Sequence, residues 1–455
     1  MDALYIRFLA PAVPAALFAV GGYFLIRLRF FFCLHPRRAL RKMYGGKQPR
    51  QAFTAVCLAL GGTMGVGNIT GVALALLVGG AGAVFWMLVA AFFAMAVKYA
   101  EVVLAMDTRE RRADGTFRGG APYYMRPVGR RHGFLSLLFS LLCIVCSVFQ
   151  GSILQGNAVG EAVHVTFGAE PGIPGVALSI AALVLLLFCR PLLGRVCALL
   201  VPLATVLYLF LCLAVLIVHR GDLGGACLAI LHGALTPAAG AGGFLGFFTS
   251  EALRVGCARG LLSNEAGCGT APLAHITAEG STPAGQGLCG VFEVFLDTAV
   301  VCTLTALACL TSGVRGSPDA PFSYVADAVG TVFGRAAMPL VTVAVTGFAF
   351  ATVLSWAFYG LSCLDTLTRS APVRVAYLVL YCGGLIVGGV SAPKSVFRAI
   401  DILLAVMTLI NLAALIKKAD RVVTLSAEEG LLVSRRRADA PARAPRAESA
   451  AQYRP

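Results

Sequence analysis

Charged side chains are scarce in this chain of 455 residues: 13% are Asp, Glu, Lys or Arg, whereas 58% are hydrophobic. A soluble domain typically carries about 25% charged residues, so the sequence lacks the polar surface that a water-soluble fold of this size needs. Apolar runs of about 20 residues, which can cross a bilayer core of about 30 Å, recur instead. Strand-length alternation of polar and apolar residues is also lacking, which disfavours a β-barrel. We therefore predict an all-α polytopic membrane protein.

Patterns typical of enzymes and metal centres are missing as well. The six histidines are scattered, and no H-E-x-x-H, phosphate-binding loop or serine-nucleophile motif occurs. Cys143 and Cys146 form a C-x-x-C inside an apolar run, and no second pair or histidine stands at metal-binding spacing. We interpret the cysteines as reduced structural thiols. We predict no enzyme, no cofactor, no metal centre and no nucleotide-driven pump.

Eleven apolar segments are predicted to span the membrane. They are residues 8–26, 52–80, 83–106, 134–166, 173–189, 196–218, 241–262, 286–311, 337–364, 373–390 and 396–416. Arginine and lysine concentrate in the loop after segment one, in the loop after segment three and in the C-terminal tail. The positive-inside rule places all three in the cytoplasm, with the N-terminus outside the cell membrane and the C-terminus cytoplasmic. This topology accounts for the net charge of +15 without nucleic acid.

Two clusters combine glycine with polar residues inside apolar segments: residues 61–71 in segment two and residues 259–269 at the end of segment seven. Glycine lets the backbone leave the helix, and the exposed carbonyls and amides then suit a cation and a carboxylate. Close helix packing explains single glycines equally well, and the second cluster also fits a gate or a loop. Segments two to six and seven to eleven would have opposite orientations, which is typical of an inverted-repeat transporter with broken helices.

The predicted organisation has four parts. Residues 1–50 form an extra N-terminal span and a basic loop, and residues 51–219 form the first five-helix repeat. Residues 220–416 form the second repeat, and residues 417–455 form a basic, disordered cytoplasmic tail.

Several runs in fixed order resemble the alanine or glycine:cation symporter family. They are Gly65-Val66-Gly67-Asn68-Ile69-Thr70-Gly71, Gly82-Ala83-Val84-Phe85-Trp86-Met87, Lys98-Tyr99-Ala100-Glu101, Arg118-Gly119-Gly120 with Tyr123-Tyr124, Gln155-Gly156-Asn157, Arg259-Gly260, Ser263-Asn264-Glu265-Ala266-Gly267, Phe295-Leu296-Asp297-Thr298, and Trp356 with Tyr359-Gly360. The resemblance covers about residues 50 to 415 and implies a five-plus-five inverted-repeat fold. It also implies sodium-coupled uptake of a small neutral amino acid.

The resemblance implies a site between segments two, four, seven and nine. The expected substrate-binding residues are Gly65, Val66, Gly67, Asn68, Phe149, Gln155, Thr352 and Trp356. The expected ligands of Na⁺, the coupling ion, are Gly62, Gly65, Thr352 and Ser355. In this arrangement the backbone of residues 65–68 meets the substrate's charged groups, Trp356 walls the side-chain pocket and Phe149 caps it.

The sequence also departs from the family pattern at the expected site. Val66 and Ala351 stand where family members commonly have hydroxyl residues, whereas Ser355 adds a hydroxyl nearby. If those hydroxyls bind the ion, sodium affinity is affected. We therefore keep two alternatives to a sodium symporter: a proton-coupled amino-acid transporter, and a transport-inactive sensor or scaffold that retains the fold. A channel is a third alternative, which the small number of charged residues within the spans disfavours.

Charged residues within spans are costly and are candidates for function. Lys98 and Glu101 are spaced to pair on one helix face. Glu293 and Asp297, four residues apart, could share a proton. For Glu265 we expect a gating or structural role, bonded to free amides or to Arg259.

Overall fold

The computed structural model describes residues 9–43, 49–127, 133–189, 192–235, 250–391 and 393–432. Helices α1 to α11 are Ala10–Arg27, Phe31–Leu34, Pro36–Met43, Pro49–Thr63, Thr70–Gly79, Gly82–Thr108, Ala121–Tyr124, Phe134–Cys146, Leu154–Phe167, Gly172–Phe188 and Leu193–Val218. Helices α12 to α21 are Leu223–Leu235, Glu251–Asn264, Pro272–His275, Pro283–Val294, Thr303–Thr311, Pro321–Phe333, Ala337–Leu367, Ala371–Gly389, Pro393–Lys417 and Ala419–Glu428. Strands β1 (Glu110–Arg111) and β2 (Phe117–Arg118) form one antiparallel hairpin.

Within the described residues, eight helices are long and apolar enough to cross a membrane, or nine if the bent pair α4 and α5 counts as one span. The membrane-spanning, all-helical class is therefore confirmed, whereas the number eleven and the inverted repeat remain predictions. The predicted span 173–189 is the shorter helix Gly172–Phe188. Most of the predicted span 241–262 is either outside the described residues or in α13, whose mean hydropathy is too low for a span.

Helices α12 and α17 have no counterpart among the predicted segments, as is also true of the shorter helices α2, α3, α7, α14 and α21. Helix α12 follows α11 after a 3-10 turn, and α17 precedes α18 with only a 3-10 turn between them. Each is 13 residues long, which is shorter than the run of about 20 residues that the sequence search required.

Helix α6 lies at the centre of the fold, and α1, α13 and α15 pack against it. Its interior faces are rich in alanine, including Ala90, Ala91 and Ala94, which are buried. Small side chains let helix backbones approach closely, and this is how helices associate in a membrane, where burial of apolar surface gives little driving force. The exposed large side chains of the outer helices are apolar, such as Leu203 and Val379, as expected for surfaces in contact with lipid.

Two helical spans contain a wide, π-helical turn. Residues Ser147–Ile153 join α8 to α9, and residues Phe295–Cys302 join α15 to α16. Such turns insert a residue into the helix and often occur at functional sites. Neither turn was predicted, because neither run carries a proline or a glycine cluster that would mark an interruption.

The segment after α20 differs from the predicted disordered tail. Residues Ala419–Glu428 form helix α21, which buries Val422 and Leu425. Arg421 makes a bidentate ion pair with Asp107 at the end of α6, and these hydrogen bonds raise the pKa of Arg421 above its ordinary value. The apolar stripe and the ion pair explain why this part is helical. Residues 433–455 lie outside the described part of the chain.

Candidate functional site

The first predicted break is present, and it bends the chain by 58° between Thr63 and Val66. Gly65 is extended, and its amide is bonded by the Asn68 side chain, with 3.1 Å between the Gly65 nitrogen and Asn68 Oδ1. A 3-10 turn, Val66–Asn68, then leads into α5. Asn68 thus stabilises the interruption that the glycines permit, and the whole turn is buried.

The second predicted break begins where α13 ends, at Asn264. Glu265, Gly267 and Gly269 all have positive φ angles, of 52°, 93° and 78°. A glutamate in this left-handed region is uncommon and carries strain. The Asn264 side chain stabilises the turn by accepting a hydrogen bond from the amide of Ala266 at 3.0 Å.

The two breaks meet in space. The backbone of Gly67 lies against Ser263 and the carbonyl of Leu262, close enough that a Cβ on Gly67 would stand 3.5 Å from Ser263 Cα. The family resemblance and the topology argument had assigned these clusters to one site, and the geometry brings them into contact.

Asp297 bridges the two breaks. One carboxylate oxygen accepts a hydrogen bond from Asn68 Nδ2 at 2.6 Å, and the other accepts from Ser263 Oγ at 2.7 Å. Thr298 donates to the same carboxylate at 2.8 Å. Asp297 is fully buried within the π-helical turn after α15. Movement of one break relative to the other must therefore change this set of hydrogen bonds.

Helix α18 supplies the residues predicted opposite the first break. Trp356 Nε1 donates to the Gly62 carbonyl at 3.3 Å. Thr352 Oγ1 donates to Phe348 at 3.0 Å and lies where a Cβ on Gly65 would be only 2.6 Å away. Ser355 is also near the break, but its hydroxyl faces Gly61 and the thiol of Cys197. Thr352 of α18 thus lies beside Gly65, whereas Ser355 of the same helix faces Gly61 of α4.

The π-helical turn after α8 brings a residue that was not predicted, Gln150, to the second break. Gln150, not Phe149 or Gln155, reaches the second break: its Nε2 donates to the Leu262 carbonyl at 3.3 Å. The side chain of Gln155 instead donates to the backbone of Gln150 at 2.9 Å and so stabilises the turn. Phe149 is half-buried at the core's edge. The wide turn changes the helical phase of the residues around it, and the roles that the resemblance implies for Phe149 and Gln155 stay predictions.

Three buried oxygen atoms around the breaks have no hydrogen-bond partner among the described residues. They are Gln150 Oε1, Glu265 Oε1 and the hydroxyl of Tyr359. Glu265 interacts electrostatically with Tyr359 and lies close to Trp356. Buried polar atoms are nearly always satisfied, so these three oxygens are candidates for hydrogen bonds to a polar ligand. The sequence analysis names Tyr359 only as part of the family pattern, and it does not predict Gln150 as a site residue.

The predicted pairing of Lys98 with Glu101 is wrong. Lys98 pairs with Glu293, with 3.3 Å between Nζ and Oε1, and His275 binds the other oxygen of Glu293 at 2.8 Å. Glu101 instead accepts hydrogen bonds from the Gly269 amide and from Asn411. The local spacing on one helix was satisfied, but tertiary packing offered Lys98 a partner on α15.

The proposed proton sharing between Glu293 and Asp297 has no geometric basis. The Glu293 carboxylate is bonded to Lys98 and His275, whereas the Asp297 carboxylate is bonded to Asn68, Ser263 and Thr298. The π-helical turn begins between them, at Phe295. The two carboxylates therefore serve separate networks.

Glu265 does not pair with Arg259 either. Arg259 forms a buried ion pair with Asp401 of α20, while Glu265 Oε2 accepts from Thr270 at 2.7 Å. This second bond closes the turn that follows α13. Glu265 thus holds the second break in shape with one oxygen and leaves the other facing the site.

A cavity of about 290 Å³ lies between the beginnings of α4 and α11. Its polar wall includes Gln51, Thr54 and Thr277, and Phe358 of α18 also lines it. Phe358 is two residues from Trp356.

Comparison with known proteins identifies the chain's relatives. Residues 3–428 match the sodium:alanine symporter family. The chain belongs to this family. An uncharacterized transporter of Haemophilus influenzae is 34% identical over 87% of the chain and 88% of its own length. The sodium/alanine symporter AgcS of Methanococcus maripaludis is 32% identical over 91% and 93%, and the probable sodium/glutamine symporter GlnT of Bacillus subtilis is 29% identical over 88% and 84%.

Membership of this family makes the protein a member of a family of multi-span membrane transporters. The printed names of the relatives cover more than one amino acid, alanine for one and glutamine for another. The family therefore establishes transport, while the substrate of this chain depends on its own site.

Proposed function

We propose that the protein is a secondary symporter that imports a small neutral amino acid, alanine or glycine, together with Na⁺ across the cell membrane. The observation that carries this proposal is the contact between two helix breaks beside three unpartnered buried oxygens. Family membership supports the class of substrate and ion. We place the N-terminus outside and the basic loops in the cytoplasm, following the positive-inside rule.

The charges of an amino acid fit the two sides of this site. The unpartnered oxygens of Gln150, Glu265 and Tyr359 are all acceptors and suit an ammonium group. The amides at the start of the 3-10 turn, Val66 and Gly67, lack intrahelical partners, as at any helix start, and suit a carboxylate. Both charged ends of a zwitterion would then be held by the two breaks.

The size of the side chain would be limited by Trp356. Its ring is fully buried and packs edge-on to Tyr359 at 5.5 Å between centroids. Gly151 on the π-helical turn lies against the base of Trp356, with no space for a Cβ. Because Tyr359 and Gly151 pack against Trp356, its indole would form a rigid wall that favours substrates with small side chains.

Sodium would bind beside the substrate, between α4 and α18. Na⁺ is a hard cation and prefers oxygen ligands. The Thr352 hydroxyl donates its hydrogen to Phe348 and keeps its lone pairs for a cation, and it lies next to Gly65. The carbonyl of Gly62 faces the same space through its contact with Trp356. Ser355, nearer to Gly61, would be a ligand only if α4 shifts.

Coupling would follow from the shared geometry of both ligands. Na⁺ and substrate would each stabilise the same closed arrangement of the breaks, so each raises the affinity for the other by the same factor. Asp297, which holds both breaks through Asn68 and Ser263, would transmit the change. Alternating access then requires the two breaks to move about this carboxylate.

Tryptophan fluorescence offers a direct test, because the chain has two tryptophans, Trp86 and Trp356. In a Trp86→Phe variant Trp356 is the sole reporter at the site. We expect L-alanine to change its emission in NaCl and not in choline chloride. An identical response in both salts would exclude Na⁺ coupling, and a response only to acidification would favour the proton-coupled alternative. Absence of any response in folded protein would favour a transport-inactive scaffold.

A further inference from the structure

A second cavity, of about 340 Å³, lies away from the proposed transport site. Its lining comes from α3, α4, α11 and the region around α15, and we call it the lateral cavity. The lining residues are Met43, Ala52, Phe53, Val56, Cys57, Leu60, Val201, Pro202, Thr205, Val206, Cys289, Phe292 and Leu296. The set contains no charged side chain.

The one hydroxyl among the residues that line the lateral cavity, that of Thr205, offers no hydrogen bond to an occupant. Thr205 Oγ1 donates to the carbonyl of Val201 at 2.6 Å, so this hydroxyl is already satisfied within its own helix. An amino acid or an ion would therefore find no polar partner there, since burying a charge without one is strongly unfavourable. The occupant must be a hydrocarbon chain.

The position of the lateral cavity selects a membrane lipid as the source of that chain. Helix α11 and the helical run 283–311 are both long and apolar enough to span a membrane. Two lining residues, Phe53 and Val206, are 53% and 66% exposed at the molecular surface. The cavity thus opens sideways, to the place where acyl chains surround the protein.

The charges at one end of the cavity select the headgroup. Helix α3 is amphipathic: it buries Ala39, exposes Arg37 and Arg41, and ends at Met43 on the cavity wall. Arg50, also exposed, begins the helix that supplies the other wall. A basic amphipathic helix is suited to the surface of a membrane with anionic lipids. We propose that the lateral cavity binds one acyl chain of an anionic phospholipid, whose headgroup lies on the basic residues of α3 and the start of α4.

The bound lipid would contact α4, the helix that leads into the first break. Cys57 and Leu60 line the cavity, and the break follows at Gly61 and Gly62. An acyl chain in this place restrains the first half of the broken helix. The lateral cavity therefore makes the stability of α4 depend on the lipid, whichever substrate or ion the protein carries.

The test is native mass spectrometry of the delipidated full-length protein with phosphatidylglycerol or phosphatidylcholine of identical acyl chains. We expect one phosphatidylglycerol to bind about tenfold more tightly than phosphatidylcholine. Val56→Phe, which fills the cavity, should abolish the difference, whereas Val379→Phe on a lipid-facing surface should not. Equal binding of both lipids, or unchanged binding by Val56→Phe, would overturn the proposal.

A charge variant keeps the test valid if Val56→Phe does not fold. Arg41→Gln with Arg50→Gln should remove the preference for phosphatidylglycerol while leaving binding of phosphatidylcholine unchanged. The matched control is Arg335→Gln, an exposed arginine just before α18, which should keep the preference. A preserved preference in the double variant contradicts the proposed headgroup position. Neither measurement depends on transport, so failure here leaves the symporter proposal intact.

Discussion

At the scale of single residues, the account assigns the ion to Thr352. Thr352→Ala removes a hydroxyl whose lone pairs face Gly65, and we expect about tenfold weaker Na⁺ affinity, or about 1.4 kcal/mol. The measurement is a Na⁺ titration of the alanine-dependent fluorescence of Trp356. Thr342→Ala on the same helix is the control, because Thr342 bonds to Ala162 and Thr166 instead. Equal loss in both variants would remove Thr352 from the site.

Asp297 is the residue on which both breaks depend. Asp297→Asn replaces a carboxylate that accepts from Asn68, Ser263 and Thr298 with a group that has one acceptor and an added donor. We expect a loss of about 1.5–3 kcal/mol in unfolding free energy and loss of alanine uptake.

The control for Asp297 is Asp365→Asn, which weakens a partly exposed ion-pair network with Arg112 and Arg374. Uptake by this variant should persist, because Asp365 lies outside the two breaks. Thermal unfolding in detergent and uptake into proteoliposomes measure the two effects. Normal uptake by the Asp297 variant would show that the breaks move without this carboxylate.

At the scale of helices, the first break requires close contact with α18. Gly65→Ala places a methyl 2.6 Å from Thr352 Oγ1, so the break must move away from α18. We expect Na⁺-dependent alanine binding to be lost while the protein remains folded. Gly383→Ala, which meets nothing within 4 Å, should bind as the unmodified protein does. Retention of binding by Gly65→Ala would place the ion elsewhere.

Some features of the helices could be predicted from the sequence and others could not. The glycine cluster 61–71 predicts the first break, because the freedom of glycine is a local property. The contact of Gln150 with the second break was not predictable, since it depends on a π-helical turn that shifts the phase of the helix. The ion pair of Lys98 was not predictable either, because Glu101 stands at a suitable spacing on the same helix, whereas Lys98 pairs with Glu293 of α15.

This ion pair can be tested as a link between α6 and α15. Lys98→Met leaves the buried Glu293 without its opposite charge, and we expect a loss of about 3–5 kcal/mol of stability. Adding Glu293→Gln should restore part of the loss, whereas adding Glu101→Gln should not. Thermal unfolding of the three variants is the measurement. Restoration by the change at Glu101 instead would support the pairing within one helix.

At the scale of the whole molecule, the composition alone predicted a polytopic membrane protein, and the eight apolar helices confirm it. The resemblance identified the family correctly, because its motifs are spread over most of the chain. The predicted number of eleven spans stays a prediction, and the short helices α12 and α17 were missed because the search required a full membrane thickness. Helix α21 was missed because its stabilising partners, such as Asp107, are distant in sequence.

The most direct test of the account is uptake of labelled L-alanine into proteoliposomes that contain the purified full-length protein. An inward Na⁺ gradient should drive concentrative uptake, and dissipating it with a sodium ionophore should abolish the accumulation. A proton gradient without Na⁺ should drive none. Accumulation with protons alone, or no uptake of alanine or glycine by folded protein under any gradient, would contradict the proposal that two helix breaks form a sodium-coupled amino-acid site.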